Sequence, residues 1–419
     1  MLLGLILLFV QFFLVSKSLR IFKFSPVYIY IFFGAVTMVL SVIYFYFYEK
    51  KFSLFNLDDV SEKQFLNALS FYVLSLNAFM TGVLFYFINT LKKTRILFNF
   101  DIDNQFDFNF NSGKKERNII VYYFIFLFFF FLFLYGKSLF IRDEYPSFEE
   151  NKGFVIILSF LSFIGCLLSS ALYTQYKKTS LILLFILLLL NFGTGSRMGF
   201  IFLLIYGLIA YFSKEDRGVF KKIKLVIFLI FSLFYMAVLI QVRYLPEHGI
   251  IPYLTYLLTL DPEIFDTMMF NIYYLLVFGY FVTIETMQTA SASWDIIYTN
   301  INPLPGSFVG WYEYSSSRRI NIYAPYSTHG EAFAMGKTFT FFFFFFIGII
   351  FTNIDKFVRK MFKKQKNLKA LILVLLTCLH IFYSFEYNMR SSLRYIYYSY
   401  FYLLMLFFVG GLINSIPKR

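Results

Sequence analysis

At 419 residues, 59% hydrophobic and 24% aromatic with only 15% charged, the chain carries more apolar surface than one soluble core can hide, so it needs lipid as solvent. Its net charge of +14 would suit nucleic acid, but the lysines and arginines sit in loops beside apolar stretches, the pattern of a polytopic membrane protein, and a nucleic-acid partner is excluded. Cys166 and Cys378 stand apart inside apolar segments, which excludes a disulfide framework and a metal site.

Taken in chain order, apolar stretches of spanning length lie near 1–16, 26–48, 65–91, 119–136, 153–173, 180–195, 198–212, 225–242, 338–354, 370–386 and 395–413, so the expected fold is an all-α polytopic membrane protein of about 11 transmembrane helices. The first stretch has neither a basic leader nor a small-residue cleavage site, so it reads as a retained helix. The phenylalanine runs at 128–131 and 341–346 read as filler that lipid accepts. Residues 97–118 form an Asn/Asp-rich loop whose Asp101-Ile-Asp103 mimics a metal-binding acidic pair without the rest of such a motif.

Alternate loops hold 25 of the 38 lysines and arginines and are assigned to the cytoplasm. That places the N-terminus outside, the C-terminus inside, and residues 243–337 outside. This stretch divides the chain into helices 1–8 (1–242), a large exported loop (243–337) and helices 9–11 (338–419). The loop has eight acidic against four basic residues, and it is expected to contain short interfacial helices. Its apolar run Met268 to Ile284 could be a further span, but that would carry the seven basic residues of 356–369 outside, so an interfacial or re-entrant helix is expected.

Arginines gather on the side that topology does not favour. In Gly193-Thr194-Gly195-Ser196-Arg197 the glycines allow close backbone approach and Ser196 adds a hydroxyl beside a guanidinium, a cluster suited to an anion; the plain alternative is a snorkelling anchor. Arg243 ends the eighth span at the same depth. Arg390 and Arg394 are four apart at the start of the last span, where they could bind an anion, position the span or pair with Glu386. His329 and Glu331 could act as a base at the mouth of the bundle, or serve as a loop residue and a helix cap. Arg318 and Arg319 form either a substrate-holding patch or a solvated one, and Trp294, Trp311 and Tyr323 could stack on sugar rings or belong to an interfacial belt.

The Thr194–Arg197 turn between mid-chain spans, the single large exported loop and the Gly330-Glu331 pair ahead of the next span resemble the oligosaccharide repeat-unit polymerases of bacterial surface polysaccharide assembly, the O-antigen polymerase family. The resemblance implies a metal-independent, cofactor-free glycosyltransferase of the bacterial inner (cytoplasmic) membrane. Such an enzyme joins polyprenyl-diphosphate-linked oligosaccharide units at the outer face for O-antigen (lipopolysaccharide), capsule or exopolysaccharide, with membrane lipid, a flippase and a chain-length regulator as partners. It maps Arg197, Arg243, Ser196, Arg390 and Arg394 to diphosphate binding, His329 or Glu331 to the catalytic base, and Arg318, Arg319 and Trp311 to substrate binding. The alternatives are a lipid-linked oligosaccharide flippase or transporter, and an O-antigen ligase.

Overall fold

The computed structural model describes residues 2–22, 24–48, 60–90, 98, 114–144, 152–173, 175–196, 198–212, 219–259, 264–291, 293–316, 318–320, 324–364 and 366–415. Among these residues there is no β-strand, only two isolated antiparallel bridges. Eight of the helices are long and apolar enough to cross a membrane: Pro26–Phe47, Glu62–Ile88, Lys114–Leu139, Gly153–Ala171, Val226–Tyr244, Ile264–Thr289, Lys337–Lys363 and Lys369–Glu386. The chain is thus an all-α, multi-pass membrane protein. All but Ile264–Thr289 coincide with spans expected from the sequence. The remaining expected spans are helical too, but Leu2–Ser18 and Met198–Gly207 are shorter apolar helices.

The chain divides into two compact units, Met1–Phe106 with Tyr273–Arg419, and Asp107–Ile272. In the first unit we number α1 (Leu2–Ser18), α2 (Pro26–Phe47) and α3 (Glu62–Ile88). In the second follow α4 (Lys114–Tyr135), α5 (Lys152–Ala171), α6 (Lys177–Gly193), α7 (Met198–Phe212), α8 (Val219–Gln241), α9 (Ile250–Leu258) and α10 (Ile264–Tyr273). The first unit resumes with a π-helical turn at Tyr274–Phe278 leading to α11 (Gly279–Thr289), then α12 (Trp294–Ile301), α13 (Trp311–Ser315), α14 (Thr328–Ala334), α15 (Lys337–Lys363), α16 (Asn367–Glu386) and α17 (Met389–Ser415). The expected exported loop therefore contains helices over much of its length.

In the first unit α3 and α15 form the central pair. Ser61 opens α3 with a capping box, its amide donating to the Gln64 side chain at 2.8 Å while its hydroxyl accepts from the Gln64 amide at 3.4 Å. Along the pair, Phe71 meets Phe333 just ahead of α15, Gly82 meets Phe345, Phe79 meets Gly348, and the Tyr86 hydroxyl donates to Asn353 at 3.0 Å. Residue numbers climb together, so the two helices run parallel. A Cβ at Gly82 would lie 2.1 Å from the Phe345 carbonyl oxygen, and one at Gly348 2.1 Å from that of Phe79, so two small residues let the backbones touch.

At the far end of α15 the buried Arg359 donates to Asp355 at 2.6 Å and to the carbonyls of Arg20 and Phe98 at 2.8 and 3.1 Å. A charge removed from water in this way needs every donor engaged. Near the other end, Tyr280 of α11 donates to the Phe65 carbonyl at 3.0 Å and Thr283 meets the Tyr72 hydroxyl at 2.8 Å. Helix α11 accordingly lies along the first three turns of α3. It stops there, with Thr286 against Gly330 of α14, just before α15 begins.

In the second unit α4, α5, α6 and α7 share a core of Leu127, Phe131, Leu158, Cys166, Leu187 and Phe202. Helices α7 and α8 pack closely through Gly199 against Tyr235 and Gly207 against Phe228.

Candidate functional site

The turn between α6 and α7 builds a polar recess in the second unit. Asn191, in the last turn of α6, holds the chain with its carbonyl, which accepts from the Ser196 amide at 3.0 Å and the Thr194 hydroxyl at 2.9 Å. Gly195 takes φ +71°, a left-handed conformation that side chains resist, and so suits the turn after α6. The Ser196 hydroxyl then accepts from the Met198 amide at 3.3 Å, satisfying an orphan donor at the start of α7.

The end of α6 is fixed by further contacts. Arg142 and His248 exchange backbone hydrogen bonds at 2.9 and 2.7 Å, and the Arg142 guanidinium donates to the Gly193 carbonyl at 2.9 Å. Gly249, at φ +119°, brings its Cα so near Phe140 that a Cβ would sit 2.5 Å from the carbonyl oxygen. His248 donates to or accepts from the Tyr253 hydroxyl at 3.0 Å, and burial followed by the Arg142 charge keeps its pKa below the usual value.

A cavity of about 200 Å³ results, lined by Asn191, Thr194, Gly195, Ser196 and Arg243 together with Phe131, Tyr135, Val155 and Leu158. Ser159 and Ser162 also line it, and the buried Ser162 hydroxyl has no hydrogen-bond partner among the described residues. A lining that mixes a guanidinium and hydroxyls with hydrocarbon suits an anionic headgroup with an apolar tail. Two residues expected to share an anion site, Ser196 and Arg243, do line one cavity; Arg197 lies outside the described residues. Asn191 escaped sequence reasoning although it stands three residues before Thr194, the spacing of one helical turn.

The other candidate residues lie in the first unit, mostly buried where an open site was expected. Glu331 is 3% exposed: it accepts from Arg318 at 2.7 Å, from Asn300 at 3.2 Å and, through its second oxygen, from the Met389 amide at 2.7 Å. Desolvation pushes its pKa up, while Arg318 and the Met389 amide pull it down. His329 is 1% exposed, stacked among Tyr72, Phe344 and Phe385; Nδ1 contacts the Ser384 carbonyl at 2.9 Å and Nε2 the Tyr30 hydroxyl at 3.4 Å. Burial lowers its pKa to about 3, far from the near-neutral value of an efficient general base. Both side chains are thus interior groups, not groups at an open mouth.

Arg390, expected to face an anion, is 3% exposed and instead donates to the carbonyls of Thr299, Asn302 (3.1 Å) and Leu304, closing the C-terminal end of α12. Its guanidinium also sits 5.6 Å from the centre of the Trp311 ring, which is buried and not presented to a sugar. Arg394, one turn on, is exposed, so the two arginines meet different surroundings. Arg319 is exposed, whereas its neighbour Arg318 is the buried partner of Glu331. Trp294 is exposed, and Tyr323 lies outside the described residues.

No family model, curated protein or solved structure matches the chain. The chemistry of the recess therefore has to carry the functional reading.

Proposed function

We propose that the chain is a glycosyltransferase that joins polyprenyl-diphosphate-linked oligosaccharide units, a repeat-unit polymerase of bacterial surface polysaccharide acting at the outer face of the inner membrane. The observation that carries this reading is the recess of the second unit, where Arg243, Ser196 and Thr194 line one cavity with apolar residues. In such a transfer an acceptor hydroxyl attacks the anomeric carbon of the donor, the bond to the diphosphate breaks, and the electron pair leaves on the phosphate oxygen. An arginine fork held in a low-dielectric site stabilises that charge without needing a metal. His329, Glu331, Arg318 and Arg390 enter the reading as residues that hold the first unit together, and the acceptor's proton is not assigned to either of the first two.

Helix direction supports the number of crossings that the reading needs. If α3 and α15, which run parallel, both cross the bilayer, an odd number of crossings separates them. The five expected at 119–136, 153–173, 180–195, 198–212 and 225–242 satisfy this, and a sixth at Ile264–Thr289 would not. The termination of α11 beside the start of α15 fits an interfacial or re-entrant segment, although its length alone would allow a span.

Replacing Arg243 by alanine should cost about 3 kcal/mol of transition-state stabilisation, on the order of a hundredfold in rate. The polymer ladder on gels should collapse to short chains, with Arg243→Lys rescuing poorly because it lacks the bidentate fork. Normal long chains from Arg243→Ala would defeat the reading. Cells lacking the protein should display single repeat units at the surface; units trapped inside would identify a flippase, and full-length polymer left on its carrier a ligase.

A further inference from the structure

Between α11 and α14 the chain exposes an apolar ridge. On α12 and the segment after it, Trp294 is 70% exposed, Tyr298 67%, Leu304 53%, Phe308 78% and Tyr312 69%, with Ile301 completing the line. Within α12 their spacing of four and then three residues puts Trp294, Tyr298 and Ile301 on one face, while Ile297, Thr299 and Asn300 are buried; Leu304, Phe308 and Tyr312 continue the exposed run after the helix, with Trp311 buried. In a water-facing loop such a run would be costly.

The depth of α12 decides what covers it. Trp294 packs edge-on against Phe339, the third residue of the spanning α15, with ring centres 5.8 Å apart. The Ile301 carbonyl at the other end accepts from the Tyr397 hydroxyl, two turns into α17. Helix α12 is therefore held alongside apolar helices and not beyond their tips. The outward faces of those helices carry exposed Phe342, Phe346, Tyr398 and Phe401, which continue the same apolar environment. Arg390 closes the C-terminal carbonyls of α12 from the protein side, so its backbone needs little from solvent at that end.

We propose that the ridge Trp294–Tyr312 lies in the plane of the bilayer, with its aromatic face sunk into the headgroup and upper acyl region of one leaflet. The partner is the lipid surface itself. Tryptophan and tyrosine at the ridge favour this depth because each couples an apolar ring to one polar group. The inference rests on the multi-pass architecture alone and holds whether or not the protein is a polymerase.

The chain has only two tryptophans, and Trp311 is buried, so Trp311→Phe yields a protein whose remaining tryptophan is Trp294. Reconstituted in phosphatidylcholine vesicles, this variant should lose at least half its fluorescence when the lipid is brominated high on the acyl chain and little when aqueous iodide is added. Strong iodide quenching with no effect of bromolipid would overturn the proposal, as would protection of Trp294 from iodide that appears only on adding oligosaccharide, since that marks a sugar platform. If Trp311→Phe does not fold, an environment-sensitive dye on Phe308→Cys gives the same choice. Blue-shifted emission in vesicles supports lipid burial, and water-like emission refutes it.

Discussion

A carboxylate removed from water is stable only while its partners remain, and Glu331 has three: Arg318, Asn300 and the Met389 amide. Glu331→Leu should destabilise the folded protein by about 3–5 kcal/mol, because it strands the buried Arg318 guanidinium. Adding Arg318→Met should recover a large part of that loss in a thermal-unfolding cycle in detergent; equal and additive losses would mean that the pair is not coupled. His329 makes a pH-dependent contribution of opposite origin. Its folded pKa of about 3 lies below the ordinary value of 6.5, so its contribution is complete above pH 6.5 and is lost as the pH falls from there toward 3, where only the unfolded chain takes up the proton. Stability should drop by about 1.4 kcal/mol per pH unit across that window, and His329→Gln should flatten the pH profile by that one proton.

Among the elements, the α3–α15 pair is the most sensitive to a single methyl group. Gly348→Ala places a carbon 2.1 Å from the Phe79 carbonyl oxygen, and parting the helices to admit it should cost about 1–3 kcal/mol. A lowered unfolding temperature in detergent checks this, and an unchanged one would mean that the backbones do not touch. Seven of the eight long apolar helices were legible from the chain, since apolar runs of some twenty residues have lipid as their one good environment; the eighth, Ile264–Thr289, was expected as an interfacial or re-entrant helix. The burial of α14 was not: His329 and Glu331 read as a base at the bundle mouth or as a loop residue and a helix cap, and what decides is Arg318 thirteen residues before Glu331 and Met389 far downstream. Arg390 was open for a similar reason. Its charge fitted an anion or a part in positioning the last span, and the three carbonyls that occupy it come from Thr299 in α12 and from Asn302 and Leu304 just after it, a tertiary meeting that no local spacing announces.

At the scale of the whole molecule, the turn at 193–196 was legible because glycines flanking a threonine between two spans, followed by a serine, state their geometry locally. Ser196 and Arg243 accordingly line one cavity, while Asn191, whose carbonyl organises the turn, was hidden inside an apolar helix. The glycine crossing of α3 and α15 has a mechanical consequence for the first unit. Two backbones in contact leave no compliant side chains between them to slide or compress, so the crossing behaves as a hinge pin. Any motion that widens one end of this helix pair has to swing about Gly82 and Gly348, and the end that opens is paired with an end that narrows.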